Sequence, residues 1–211
     1  MKKFMFALVG ALLIGAGSVV VGHAATITGT NGDDLLECPT NANWTVKGKA
    51  GDDDILCLDG NDTLDGSTGN DNISAGRGKN TIKGGDGDDY ITFDSTGGKK
   101  NTVSGAKGED FIYDECWYNC GDNDLRGGEH DDFIYSGDGD DRITGDPGDD
   151  VLYGGYGNDC INGNDGDDYC NGGYGTDCCL NCEYTDYCEG TDPWDWACEV
   201  LDCVGSSNQN P

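Results

Sequence analysis

Aspartate recurs in this chain at a fixed interval, and it is the first feature able to do chemistry. From Gly48 the sequence runs in blocks of nine: GKAGDDDIL, CLDGNDTLD, GSTGNDNIS, AGRGKNTIK, GGDGDDYIT. From Tyr118 it does so again: YNCGDNDLR, GGEHDDFIY, SGDGDDRIT, GDPGDDVLY, GGYGNDCIN, GNDGDDYCN, GGYGTDCCL. TGGKKNTVS and GAKGEDFIY lie between these runs, set off by inserts at Phe93 to Ser95 and Asp114 to Trp117. GTNGDDLLE, Cys38 and a degenerate PTNANWTVK come first, giving sixteen blocks from Gly29 to Leu180. Carboxylates repeated beside Gly-rich turns are hard oxygen ligands of the kind Ca²⁺ takes. Paired Asp can also do the acid–base work of a glycosidase. Their placement by repeat, rather than in one cleft, favours ligation.

The elements that must position these carboxylates follow from the eighth place of each block. It is apolar throughout: Leu36, Val46, Ile55, Leu64, Ile73, Ile82, Ile91, Val103, Ile112, Leu125, Ile134, Ile143, Leu152, Ile161, then Cys170 and Cys179. No 3.6-residue period appears, so helices are not expected. A short strand with its middle side chain inward fits, joined by turns in which glycine takes positive φ. Composition alone would allow an acidic disordered chain, with 41 Asp+Glu against 12 Lys+Arg, 37 Gly and five Phe. One buried aliphatic per block is not a disordered pattern. The formal charge of -29 argues against nucleic acid and anionic membranes and for cations as partners.

The blocks resemble G-G-x-G-x-D-x-U-x, the nonapeptide of the repeats-in-toxin (RTX), or hemolysin-type, calcium-binding proteins. GGDGDDYIT from Gly84 and GGYGNDCIN from Gly154 match it at every defined place. The resemblance implies an all-β fold, a parallel β-roll (β-solenoid) of about eight two-repeat coils. It also implies multiple Ca²⁺ ions between stacked turns, held by the sixth-place Asp and by turn carbonyls.

With two blocks per coil, sixth places sort into two lanes. The odd lane reads Asp34, Asp53, Asp71, Asp89, Asp110, Asp132, Asp150, Asp168. The even lane reads Trp44, Asp62, Asn80, Asn101, Asn123, Asp141, Asp159, Asp177. The expected metal ligands are the twelve Asp of these lanes. About seven inter-turn sites fall in the odd lane, and about two full and two half-ligated ones in the even lane. Lys79 and Lys100, beside the Asn-bearing turns, are expected to supply the charge that a missing ion would bring, or else to be solvated surface groups. Losing Lys2 and Lys3 with a cleaved leader would take the charge from -29 to about -31, which about nine to eleven ions would largely offset. The metal-free chain is therefore expected to be unfolded.

Residues 1–25 read as a secretory signal peptide: Lys2 and Lys3, an apolar run from Phe4 to Val21, then small residues before Ala25. An uncleaved anchor is the alternative; after cleavage no membrane span is expected. Residues 26–180 are the expected roll, 181–205 a Cys-rich capping segment and 206–211 a tail. The twelve Cys, all beyond the leader, suggest disulfides over a thiolate cluster. Cys38 and Cys57 fall one coil apart, about 4.8 Å between strands and within bonding reach. Cys160 and Cys178 also stack, and Cys116 and Cys120 bracket an insert. Cys170 and Cys179 face the core, to bond each other or to pack as small hydrophobes. In the cap, Asp192 and Pro193 would start a short helix with Trp194, Cys198 and Leu201 on its inner face.

A secreted calcium-dependent structural or adhesive module, extracellular or at the cell surface, is the function expected. Its partners would be calcium and a surface polysaccharide or protein. A glycan- or ice-binding face is the alternative, and a hydrolase or its remnant comes last. No HExxH or nucleophile elbow is present, so no enzyme activity is expected. The outward set Tyr90, Tyr113, Tyr135 and Tyr153 suits a glycan or protein. Ice binding calls for a Thr ladder, and the ninth places (Ser74, Lys83, Thr92, Ser104, Tyr113, Arg126, Tyr135) do not form one.

Overall fold

The structure, a computed structural model, describes residues 3–4 and 25–188. Most of the expected signal segment and the expected helix around Pro193, with Trp194, Cys198 and Leu201, lie outside the described residues. Within them every regular element is a strand. The strands form two parallel sheets, one of ten and one of nine strands, with successive strands alternating between them. Odd blocks supply the ten-stranded sheet and even blocks the nine-stranded one. Ile55 pairs with Ile73 and Ile73 with Ile91 in the first; Leu64 pairs with Ile82 and Ile82 with Val103 in the second.

The result is a parallel β-solenoid of about nine turns, one more than the blocks alone suggest. Extra strands extend it at both ends. Ala25–Thr28 pairs with Trp44–Ala50 ahead of the first even block, and Tyr184–Asp186 pairs with Tyr169–Tyr174 beyond Leu180.

The core is one column wide. All the eighth-place side chains, from Leu36 to Cys179, are buried, none more than 2% exposed. Each meets its counterparts one coil above and below and across the roll. So thin a core leaves little apolar area per residue to offset chain entropy. The two inserts leave the core aliphatics aligned, since Ile91, Ile112 and Ile134 still pair in sequence across them, while Phe93 and Asp94 lengthen their strand and shift its register between Ser74 and Arg77.

Four disulfides join described residues. Cys38–Cys57 ties neighbouring coils with Cα atoms 4.7 Å apart, and Cys116–Cys120 closes its insert. Cys160 and Cys178 stack in register, and both are disulfide-bonded. Cys170 and Cys179 do not bond each other, a correction to one expectation. They sit on opposite sheets, and the chain beyond Leu180 folds across the open end to meet both, giving Cys170–Cys182 and Cys179–Cys188. Cys182 and Cys188 pack against the core there.

Candidate metal centre

Each sixth-place residue stands at the corner where a turn becomes a strand, so its side chain points along the stack. In the odd lane the backbone N–H of Asp34 donates to Asp53 Oδ1 (2.8 Å), Asp53 to Asp71, Asp71 to Asp89, and Asp89 to Asp110. The series continues through Asp132, Asp150 and Asp168, whose own N–H donates to Glu183 (2.9 Å). The even lane runs the same way from Trp44 to Asp177. One oxygen of each carboxylate is thus used as a rung, except in Asp34, whose bonded oxygen accepts from Thr30. Fifth-place side chains make a second ladder of opposite sense: Asp52 Oδ1 accepts from Asn70 N–H and Asn70 Oδ1 from Asp88 N–H.

The other carboxylate oxygen decides what the lanes can do. In Asp34, Asp53, Asp71, Asp89, Asp110, Asp132, Asp150 and Asp168, and in Asp62, Asp141 and Asp159, one oxygen is buried without a hydrogen-bond partner. Asp177, at the end of the even lane, is also buried. A buried unpaired carboxylate oxygen is costly, and desolvation favours the neutral acid. Burial pushes Asp71 to about 6, Asp110 and Asp150 to about 7, Asp89, Asp132 and Asp141 to about 8, and Asp159 to about 9. Burial raises Asp53, Asp62 and Asp168 as well. Stacked carboxylates add repulsion, as Asp71 and Asp110 do to Asp89. A divalent cation would remove both penalties at once.

A space for one is built beside each odd-lane carboxylate. The first place of every odd block is glycine. A Cβ on Gly66 would collide with Asp71 Oδ2 and lie 2.7 Å from the Gly84 carbonyl oxygen of the next coil. One on Gly145 would collide with Asp150 Oδ2 and lie 2.9 Å from the Gly163 oxygen. Carboxylate and carbonyl oxygens therefore converge on a gap that a side chain would fill. Among the described residues no three His, Cys, Asp or Glu side chains converge on one point. Such an oxygen set, mixed with main-chain carbonyls, suits Ca²⁺ over transition metals.

A family model for the RTX calcium-binding nonapeptide repeat matches this chain in four copies, at residues 45–73, 65–96, 121–152 and 144–177, more than half its length. The chain belongs to the RTX repeat family. No curated protein matches it. RTX repeats bind calcium, and the gaps between these turns have the donors for it.

The even lane departs from the RTX pattern in its middle. There the first places are Ala75, Thr96, Tyr118 and Ser136, and the column is closed by amides. Asn101 Nδ2 donates to Asn123 Oδ1 (3.3 Å), and Asn123 Nδ2 to Asp114 Oδ2 (3.0 Å). Asp114, from the insert, also accepts from Cys116 N–H (2.9 Å) and from Ser95. Hydrogen bonds, not ammonium groups, thus fill these turns; Lys79 and Lys100 are exposed. Among the expected ligands Asp141 is unusual: the Ser136 hydroxyl occupies the first-place position and donates to Gly154 O (2.7 Å). At Asp62 the first place is Cys57, already in a disulfide. Asp159 and Asp177 regain the glycine gap, at Gly154 and Gly172. The first-place glycines were the sequence signal that could have graded the twelve Asp.

The outward columns differ between sheets. Tyr90, Phe111 and Phe133 stack at 4.9 and 4.8 Å with planes within 8°, and Tyr113 stacks on Tyr135 at 5.0 Å. These rings cover one another's faces, which zips the sheet but leaves mainly edges outside. On the nine-stranded sheet Thr26, Thr45, Thr63, Thr81 and Thr102 pair in direct register, all exposed. A Thr rank therefore exists at the seventh place, where the ninth places have none.

Proposed function

We propose that the chain is an exported module whose roll is completed by calcium bound at the odd-lane Asp34, Asp53, Asp71, Asp89, Asp110, Asp132, Asp150 and Asp168 and at Asp159 and Asp177, with Asp62 and Asp141 as weaker sites. The single observation that carries this is the buried, unpartnered carboxylate oxygen that faces a glycine-made gap at each odd-lane Asp from Asp53 to Asp168. Multiple ions would each join two coils, so binding and folding are one process. The disulfides favour an oxidising, extracellular setting, in keeping with residues 1–25 as an export signal. A Ca²⁺-stiffened rod held outside the cell serves a structural or adhesive role, and no catalytic step belongs to this reading. Residues 181–205 would cap the roll, and 206–211 would be its tail.

Circular dichroism of the oxidised protein under calcium titration tests it. A coil spectrum in chelator should give way to a β spectrum near millimolar Ca²⁺, with Mg²⁺ a poor substitute. A β spectrum and melting point indifferent to chelator would end the proposal.

The Thr rank favours a second reading, an ice-ordering face. Its methyl and hydroxyl groups repeat at the strand spacing of about 4.8 Å. The next column is charged, with Lys47 paired to Asp65 at 3.2 Å, which weighs against it. Ice-recrystallisation assays of wild type and Thr63→Lys would separate the two.

A further inference from the structure

The insert between the fifth and sixth even-sheet coils makes a small knuckle. Cys116 and Cys120 close it by a disulfide, and Asn119 turns it with φ +55°. Its tip presents Trp117, 82% exposed, and Tyr118, 83% exposed. Unlike the stacked rings of the ten-stranded sheet, these two stack on no other ring among the described residues, so their faces are free. An exposed Trp–Tyr pair costs solvation, and a covalently closed loop holds it in place at little further entropic cost on binding.

The knuckle is bound to a second loop. Gly97 and Gly98 N–H both donate to Asn119 O, at 2.8 and 3.0 Å. That loop carries Lys99 and Lys100. Lys79 precedes Lys100 by one coil in the same outward column, since Thr81 pairs with Thr102. In a chain of net charge -29, six of the twelve Lys and Arg (Arg77, Lys79, Lys83, Lys99, Lys100, Lys107) fall within residues 77–107. This is also the stretch where the even lane exchanges Asp for Asn. Beside the knuckle lies a shallow groove lined by Asn43, Asp59, Asn61, Arg77, Thr96 and Lys99. Arg77 there is held by Asp94 at 3.1 Å. Amides, a hydroxyl, two cations and the Asp59 carboxylate line the groove, and the knuckle touches it at Thr96, whose hydroxyl lies 3.5 Å from Cys116 Sγ.

We propose that this face binds an acidic polysaccharide. Trp117 and Tyr118 stack on sugar rings, Lys79, Lys99 and Lys100 pair with the polymer's carboxylate or sulfate groups, and the groove amides meet its hydroxyls. An anionic bilayer fits worse. It presents a plane, and would bring the acidic remainder of the roll within a Debye length of about 8 Å. A polymer can touch the patch alone. The inference rests on the calcium-folded roll proposed above and adds to it a site and a partner class.

The test uses the full oxidised chain in saturating calcium, its β spectrum checked first. Titration calorimetry with dextran sulfate should show binding at least about tenfold tighter than with uncharged dextran of equal length, and weaker as salt rises. Trp117→Ala, and separately Lys99→Glu with Lys100→Glu, should each weaken it about tenfold while leaving the β spectrum and calcium midpoint unchanged. Wild-type affinity in either folded variant would overturn the proposal. So would no binding by wild type, equal binding of plain dextran, or tighter binding to phosphatidylserine–phosphatidylcholine vesicles. If calcium proves unnecessary for the fold, the earlier reading fails and the same titration is read on the metal-free roll.

Discussion

At the scale of single residues, the sixth-place Asp does two jobs that substitution can separate. Asn at Asp110 would keep the Oδ1 rung to Asp89 N–H (2.8 Å) but abolish the charge that cannot be solvated. Asp110→Asn should therefore be more stable than wild type in chelator and less stable in calcium, by about 1–3 kcal/mol each way. The residual β signal in chelator and a chemical melt in calcium read the crossing; a change of the same sign in both would refute the two-job account. His130 offers a different test. It replaces a turn glycine and holds φ +87°, where a side chain is strained. His130→Gly should raise stability by about 1 kcal/mol, or roughly 2–4 °C in melting temperature. Gly87, at φ +132° with Gly69 O crowding its missing Cβ, should tolerate no such exchange in reverse.

At the scale of strands and turns, the lanes make metal-free stability depend on acid. The sign follows from the raised carboxyls. Asp89, Asp132, Asp141 and Asp159 bind protons more tightly folded, at about 8 to 9, than at the ordinary 3.8 of an unfolded chain. The folded state then holds more protons between those limits, so its stability falls as pH rises from about 4 to about 9. In chelator, the β signal should be stronger at pH 5 than at pH 8; calcium should reverse the order, because the ion competes with those protons. Equal β signals at both pH values in chelator would contradict the burial of these groups.

Much of this element-level picture was legible in the sequence. The eighth-place aliphatics fixed which side of each strand faces in, and block parity fixed which strands pair. The Thr rank was not seen because seventh places alternate between sheets along the chain: Leu35, Thr45, Asp54, Thr63, Asn72, Thr81, Tyr90, Thr102. Sorted by sheet, they separate into a threonine column and a mixed one. At the even-lane Asn the residue pattern leaves Lys79 and Lys100 either replacing the charge of a missing ion or solvated at the surface. The Asn amide hydrogens, donated to Asp114 and to one another, needed coordinates to be placed. The pairings of Cys170 and Cys179 depended on where the chain goes after Leu180, which no repeat dictates.

At the scale of the whole molecule, the roll is a long object with a core one residue deep. What holds coil to coil is the hydrogen bonding of the two sheets, the ladder of rungs and whatever charge fills the gaps, so high calcium and high salt should act differently. Calcium should sharpen unfolding by linking coils, whereas monovalent salt should only soften the repulsion of a chain at -29. Calorimetric melts in the two conditions would show it: a narrower transition with calcium, a modest shift without narrowing with sodium chloride.

The two ladders also give the rod a mechanical character. Sixth-place rungs reach back to the preceding coil and fifth-place rungs reach forward to the next, so a tug along the axis loads a joint that carries both, such as those at Asp52–Asn70 and Asp131–Asp149, in both senses at once. Between the Cys38–Cys57 tie and the closed end near Cys170–Cys182, a joint that yields frees one coil. Eighteen residues of slack is about 60 Å of extension. A single roll stretched between surface and cell would thus give way in steps of that length, each one recoverable when the ion returns, and so behave as a shock absorber whose stiffness is set by the calcium outside.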